Sequence, residues 1–295
     1  MADLTVLTYN VLQSPTFFTG SRRRASEAAE LVIGIEPDVV VLNEVNSLAR
    51  AGTIISTLRR SGFESTPQVG ALLGQSDWTG TSGRLQPTRR IAGGGIRVLS
   101  RWPIAEQFQH IFSACHPRTW DAWANTGCAL VKVARPEQPF WLVGIHLQAD
   151  QPPIPVADTH AVRMAQLVEL REFVSRMVPA DEPVLVAGDF NVEYYSSAPD
   201  GSPGEPGRDL VEAEATLSGS IRPDGPMHEF TFDGETNVIV RKHTPAYRNV
   251  LDYVGWIDES GSRPHAEVLT RTVRESPAET ASDHYPVLAW VEIPD

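Results

Sequence analysis

The stretch Val184-Leu-Val-Ala-Gly-Asp-Phe-Asn-Val192 places an acid and an amide, Asp189 and Asn191, at the end of a short apolar run opened by Pro183 and closed by Gly188. Residues two apart on an extended backbone leave it on the same side. The pair therefore reads as oxygen donors sharing one direction at a strand end, an arrangement suited to a hard cation or a phosphate. Asp and Asn also cap turns by bonding their own backbone, so this pair alone does not separate chemistry from architecture. The pattern recurs, however. Asn10, Glu44, His146, Asp252 and the pair Asp283–His284 all stand where apolar runs end or begin. Packing supplies no reason to finish so many core strands with such groups. If they converge, carboxylates and amides supply oxygen ligands for Mg²⁺, which keeps water and binds phosphate. Imidazoles would then move protons, since they titrate near neutral pH.

The elements that must position these residues are dense in strands. Leu4–Val11 and Asp38–Glu44 read as buried strands, and so do 96–99, 107–114, 128–134, 140–147, 230–232, 238–240, 251–256, 266–273 and 287–293. Helical spacing appears over Ser21–Ile35, with Ala25, Ala28, Val32 and Ile35 on one face, and over Leu48–Arg60, with Ala51, Ile54, Ile55 and Leu58. A third helix spans Ala157–Met177, with a broad apolar face that includes Val162, Ala165, Leu167, Val168, Leu170, Phe173 and Val174, and a short one lies near 209–217. Residues 64–95 lack periodicity and read as loops; the Pro-, Gly- and Ser-rich 195–209 reads as another. Strict βαβ alternation does not fit so many strands. The expectation is an α+β fold, two β-sheets packed face to face with helices outside, in one large domain or two small ones.

Composition narrows the function classes. The formal charge is −12, which disfavours non-specific nucleic-acid binding through neutralised phosphates. Arg22-Arg23-Arg24 reads as the solvated first turn of a helix. No apolar run reaches the ~18–20 residues of a membrane span. The opening residues do not read as a signal peptide, so the expectation is either a cytoplasmic protein or a mature form already exported. Cys115 and Cys128 do not make a zinc set; one disulfide and two buried thiols both stay open.

With these residues in view a resemblance emerges. Thr8-Tyr-Asn-Val11, Leu42-Asn-Glu44, Gly188-Asp-Phe-Asn191, Leu251-Asp-Tyr253 and Ser282-Asp-His284 resemble, in order, the five signatures of the endonuclease/exonuclease/phosphatase superfamily, the deoxyribonuclease-like fold. The resemblance spans nearly the whole chain and implies a single domain over 1–295, a four-layer αββα sandwich of two mixed sheets flanked by helices, with the site at one end of the two sheets. Gly94–Ile104, His146-Leu-Gln-Ala149, Arg163 with Gln166-Leu167, Leu251–Val254 and Ser282–Val287 are further similar to bacterial neutral sphingomyelinases, Mg²⁺-dependent phosphodiesterases of phospholipase C type. Carried over, Glu44 is the main metal ligand with Asn10 and Asp283 beside it. Asp189 and Asn191 position water and phosphate. His284, oriented by Asp252, is the general base, and His146 is a second catalytic histidine that also contacts the substrate phosphate. Mn²⁺ or Co²⁺ would be substitutes for Mg²⁺.

Two departures qualify the resemblance. Ala92 stands before Gly93-Gly94-Gly95 where an acidic residue is common. The segment 257–264 is acidic and lacks the aromatic tip of the membrane-entering hairpin found in secreted members. Trp256 and Phe17-Phe18 are the nearest alternatives for membrane contact, Trp256 also being a good core residue. The expected activity is thus hydrolysis of a phospholipid head-group phosphodiester, or of a small soluble phosphodiester, by metal-assisted in-line attack of water. A transient membrane contact and a monomer without an obligate protein partner go with it. The competing readings are a nuclease of the same superfamily, against which the acidic charge stands, and a non-catalytic binding module, against which the complete set of polar strand ends stands.

Overall fold

The computed structural model describes residues 4–13, 22–46, 48–71, 77–83, 85, 92–195, 207–225 and 229–294. Phe17 and Phe18 lie outside them. In chain order the elements begin β1 (Leu4–Asn10), α1 (Arg22–Ile35), β2 (Val39–Asn43), α2 (Leu48–Arg60), β3 (Glu64–Ser65), β4 (Gly80–Gly83), β5 (Ala92–Gly93), β6 (Arg97–Ser100) and β7 (Ile104–Ile111). A 3₁₀ turn at Trp120–Trp123 leads to β8 (Ala124–Asn125), β9 (Gly127–Val133), β10 (Phe140–His146), α3 (Val156–Met177), β11 (Val184–Asp189) and α4 (Arg208–Leu217). The chain closes with β12 (Gly219–Ser220), β13 (Phe232–Asp233), a 3₁₀ turn at Val240–Lys242, β14 (Arg248–Asn249), β15 (Asp252–Ile257), β16 (Glu267–Thr272), α5 (Ala278–Ala281) and β17 (Val287–Glu292).

Two mixed sheets result, ordered β16-β17-β1-β2-β6-β3 and β12-β15-β11-β10-β9-β7-β4. β1 with β2 and β10 with β11 run parallel. Side-chain alternation assigns the layers. Val39 and Val41 of β2 pack with Leu185 and Ala187 of β11 in the core between the sheets. The intervening Val40 and Leu42 face α1 and α2, against Ala25, Ala28, Val32, Ile54 and Leu58. Val184 and Val186 face α3 and α4, against Leu170, Val174, Leu210 and Leu217. The order is therefore helices, sheet, sheet, helices, the expected four-layer sandwich. Burial on both faces explains why β2 and β11 are unbroken apolar runs rather than alternating ones.

Several expectations need correction. Residues 64–95 are not all loop, since they hold the short strands β3, β4 and β5; β4 pairs in parallel with β7 at the edge of the second sheet. Residues 238–240, three β-branched side chains in a row, do not form a strand. Asn237 accepts from the Ile239 and Val240 amides and winds them into the 3₁₀ turn. The face of α3 is narrower than expected: Ala165 is exposed, whereas Arg163 and Gln166 are buried. Both cysteines are thiols and not halves of one disulfide.

Candidate active site

The parity that builds the inter-sheet core also delivers the polar residues. Along β1, Leu4 and Val6 enter the core, and two steps on at a time the same face ends in Asn10. By the same count β2 ends in Asn43, β10 in His146 and β11 in Asp189, while Asp252 starts β15 ahead of Val254. Register brings them level: His146 pairs with Asp189 across β10 and β11, and Asp189 with Asp252 across β11 and β15. The chemistry is thus gathered at one mouth of the sandwich, where the apolar filling stops.

Asp189 lies at the centre. Its Oδ2 accepts from Asn10 Nδ2 at 3.0 Å and stands 3.5 Å from His146 Nε2 and 3.7 Å from His284 Nε2. Its Oδ1 accepts the backbone N–H of Asn191 at 3.0 Å, and Asn191 Nδ2 donates to Leu147 O. Asn191 (φ 50°) and Glu44 (φ 58°) occupy the left-handed region, unusual for such side chains and common at functional strand ends. Gly188 is required by a different fact. Its φ is 154°, and a Cβ there would meet the Ile145 carbonyl oxygen at 1.9 Å, so the strand that presents Asp189 can only pass this point as glycine.

Asn10 bridges two carboxylates, donating from Nδ2 also to Glu44 Oε1 at 3.1 Å, while its amide oxygen accepts from Leu12 N. Burial, and next the charge of Asp283, raise the Glu44 pKa above the usual carboxylate range, with His146 and the Asn10 bond acting against them. A pocket that strains to keep its carboxylates ionised favours a cation.

His284 is buried, its Nδ1 2.8 Å from Asp252 Oδ2. Burial alone would lower its pKa, but Asp252 and Asp189 outweigh it and hold the imidazole well above its ordinary value. Phe232 packs edge-on to the ring, with centroids 5.1 Å apart. Ser282 Oγ donates to Asn10 O at 2.6 Å and pins the Asp283–His284 segment to β1. Asp189, Asp252 and His284 also form a group whose ligand atoms lie within 4.8 Å of one another.

All eight residues singled out in the sequence therefore gather at this mouth, with Asp283 felt through its charge on Glu44. Two neighbouring residues lie outside that set. Asn43 is fully buried and joins the sheets: its Nδ2 donates to Ile145 O at 2.8 Å, and its Oδ1 accepts from Asp189 N at 3.2 Å. Asp121 accepts from Gln148 and Gln151, and burial raises its pKa within reach of the charges on His146 and Asp189. Behind them, Arg163 donates to Gln148 O and Asp150 Oδ1, and Gln166 accepts from Gln148 N, so α3 holds the loop that follows His146.

A two-sheet sandwich with acids, amides and two histidines at its mouth defines a phosphodiester hydrolase of the deoxyribonuclease-like class. The chain belongs to the Endonuclease/Exonuclease/phosphatase family, which it matches over residues 7–284. It is similar to Sphingomyelinase C of Bacillus cereus, 29% identical over 98% of this chain and 89% of that protein. Among solved structures it resembles Sphingomyelinase C of Streptomyces griseocarneus, with TM-score 0.81, 28% identity and coverage of 97% and 98% of the two chains. Beta toxin of Staphylococcus aureus, crystallised with bound magnesium ions, shares the fold at TM-score 0.80 and 23% identity over 98% and 99%.

Proposed function

We propose that the protein hydrolyses the head-group phosphodiester of a phospholipid, in the manner of a phospholipase C or sphingomyelinase, with Mg²⁺ as cofactor. The observation that carries the mechanism is the bond between His284 and Asp252, with the far nitrogen of His284 turned towards Asp189. Asp252 fixes the ring so that Nε2 faces the reaction, the arrangement a water-activating base needs. Asp189 and Asn191 hold the attacking water and the phosphate, and His146, at the same oxygen of Asp189, supports the phosphate and the leaving oxygen. Glu44, with Asn10 and Asp283, would hold the cation. Bound there, Mg²⁺ supplies neutralisation of the phosphate oxygens as charge builds on them. The raised pKa of Glu44 fits this assignment, because a cation relieves the repulsion from Asp283. The Asp189–Asp252–His284 group is the competing metal position. We assign it to proton transfer instead: ligation through Nδ1 would break the 2.8 Å bond that orients His284, and ligation through Nε2 would occupy the nitrogen that the proposed base uses.

The substrate class is supported by the named relatives, sphingomyelinases and a phospholipase C. Export belongs to the same reading, one relative being known as a toxin. The test is a substrate panel of sphingomyelin, phosphatidylcholine, a soluble phosphodiester and plasmid DNA, each with Mg²⁺ and with EDTA. Release of phosphorylated head group from lipid, abolished by EDTA, is expected. Plasmid cleavage without lipid hydrolysis would make the protein a nuclease and overturn the proposal.

A further inference from the structure

Of the seven tryptophans, all among the described residues, Trp120 and Trp123 stand out: they are 72% and 55% exposed, whereas Trp78 and Trp141 are buried and the other three half-buried. Both lie on one 3₁₀ turn, and the residue between them and the site is Asp121. Its carboxylate points inward, held by Gln148 and Gln151 close to His146. The turn is fixed rather than loose. The Trp120 backbone N–H donates to Gln151 Oε1 at 2.8 Å, and the following strand β8 is anchored by pairing with β5. Indole rings left in water on a rigid rim, with the neighbouring acid turned away from them, call for something to cover them.

We infer that Trp120 and Trp123 form the edge by which the protein docks on a phospholipid bilayer, setting the catalytic mouth against the lipid surface. The inference rests on the phospholipase reading above. Three features favour a bilayer over a second copy of the chain. Two indoles on one turn fall far short of the roughly 800 Å² per partner of a stable protein interface. An indole combines an apolar body with an N–H donor, which suits the boundary between head groups and acyl chains. Arg118, exposed two residues before Trp120, offers a guanidinium to lipid phosphate.

Of the expected alternatives, Trp256 lies among the described residues, and it is occupied elsewhere. Trp256 stacks on His265 at 3.8 Å, with 13° between the rings. The segment after β15 is folded down rather than extended, because Asp258 accepts from the Ser262 and Arg263 amides and Arg263 is buried against the Val178 and Glu182 carbonyls.

The test is co-sedimentation with vesicles of phosphatidylcholine and sphingomyelin in EDTA, so that binding is read without turnover. The Trp120→Ala/Trp123→Ala variant should need at least about tenfold more lipid for half-maximal binding, given the apolar area withdrawn. Its turnover of a soluble phosphodiester should stay within about twofold of the wild type, which a change confined to docking leaves untouched. Leu269→Ala, another exposed apolar position on β16, should bind as the wild type does. Equal vesicle binding by the double variant overturns the inference, as does a parallel loss of soluble-substrate turnover. Tryptophan-dependent binding without any lipid hydrolysis would overturn the phospholipase reading instead and leave the docking edge standing.

Discussion

Asp252 and His284, 32 residues apart in sequence, meet at 2.8 Å in the interior of the sandwich mouth. They arrive on different sheets, Asp252 at the start of β15 and His284 just before β17, so the pair exists only when both sheets are packed. That makes it a sensitive point at which to test the mechanism.

Asp252→Asn should lower kcat by roughly two to four orders of magnitude, because the amide no longer fixes His284, the proposed base, in one orientation. The acid limb of the pH–rate profile should also move. The two carboxylates raise the His284 pKa, so removing one charge lowers it, and the limb shifts to lower pH even as the plateau falls. A pH–rate series on both proteins checks this, and an unmoved limb would assign it to another group.

Glu44→Gln should abolish Mg²⁺-dependent turnover and remove the Mg²⁺ binding heat seen by calorimetry. In EDTA the variant should melt at or above the wild-type temperature, because the half-buried carboxylate, repelled by the charge of Asp283, is destabilising when no cation is present. A large loss of Tm in EDTA would give Glu44 a structural role instead.

Asn43→Ala should destabilise the fold by roughly 2–4 kcal/mol, leaving the Ile145 carbonyl and the Asp189 amide without their partner in the interior. Asp189 would lose its fixed position, and kcat should fall about tenfold or more. Urea unfolding and kinetics on one preparation read both effects.

Away from the site, Asp233 is buried and accepts from Arg248, Arg274 and Thr236. Burial pushes its pKa up, but these hydrogen bonds prevail and hold it below the usual carboxylate value. A depressed folded pKa stabilises above the unfolded value near ~3.9 and loses that stabilisation as pH falls through the folded value. Asp233→Asn should therefore cost roughly 2–4 kcal/mol at neutral pH. Its Tm should fall less steeply than that of the wild type below about pH 4.

The long buried strands and the residues that end them were legible because β1, β2, β10 and β11 are apolar runs with a sudden change of chemistry. Helical periods between them pointed to helices outside two packed sheets, and the family resemblance supplied the four-layer order. What the residues did not announce was set by distant partners. Asn43 looks like a spacer between Leu42 and Glu44, and only the packed second sheet shows it as a bridge. Asp121 and its flanking tryptophans sit in a segment without periodicity, held by Gln148 and Gln151 some thirty positions on. Strands β3 to β5 are two to four residues long, too short to carry a pattern of their own. On α3, Arg163 and Gln166 are buried not by apolarity but by their bonds to the loop after His146.

In the proposed reaction water attacks phosphorus and the lipid oxygen leaves, so the head group is released still phosphorylated. Hydrolysis of sphingomyelin or phosphatidylcholine in ¹⁸O-labelled water, with mass spectrometry of both products, tests it most directly. One labelled oxygen in the phosphorylated head group, an unlabelled lipid alcohol, and no turnover by Glu44→Gln are expected. Label in the lipid alcohol, or phosphate left on the lipid, would contradict it.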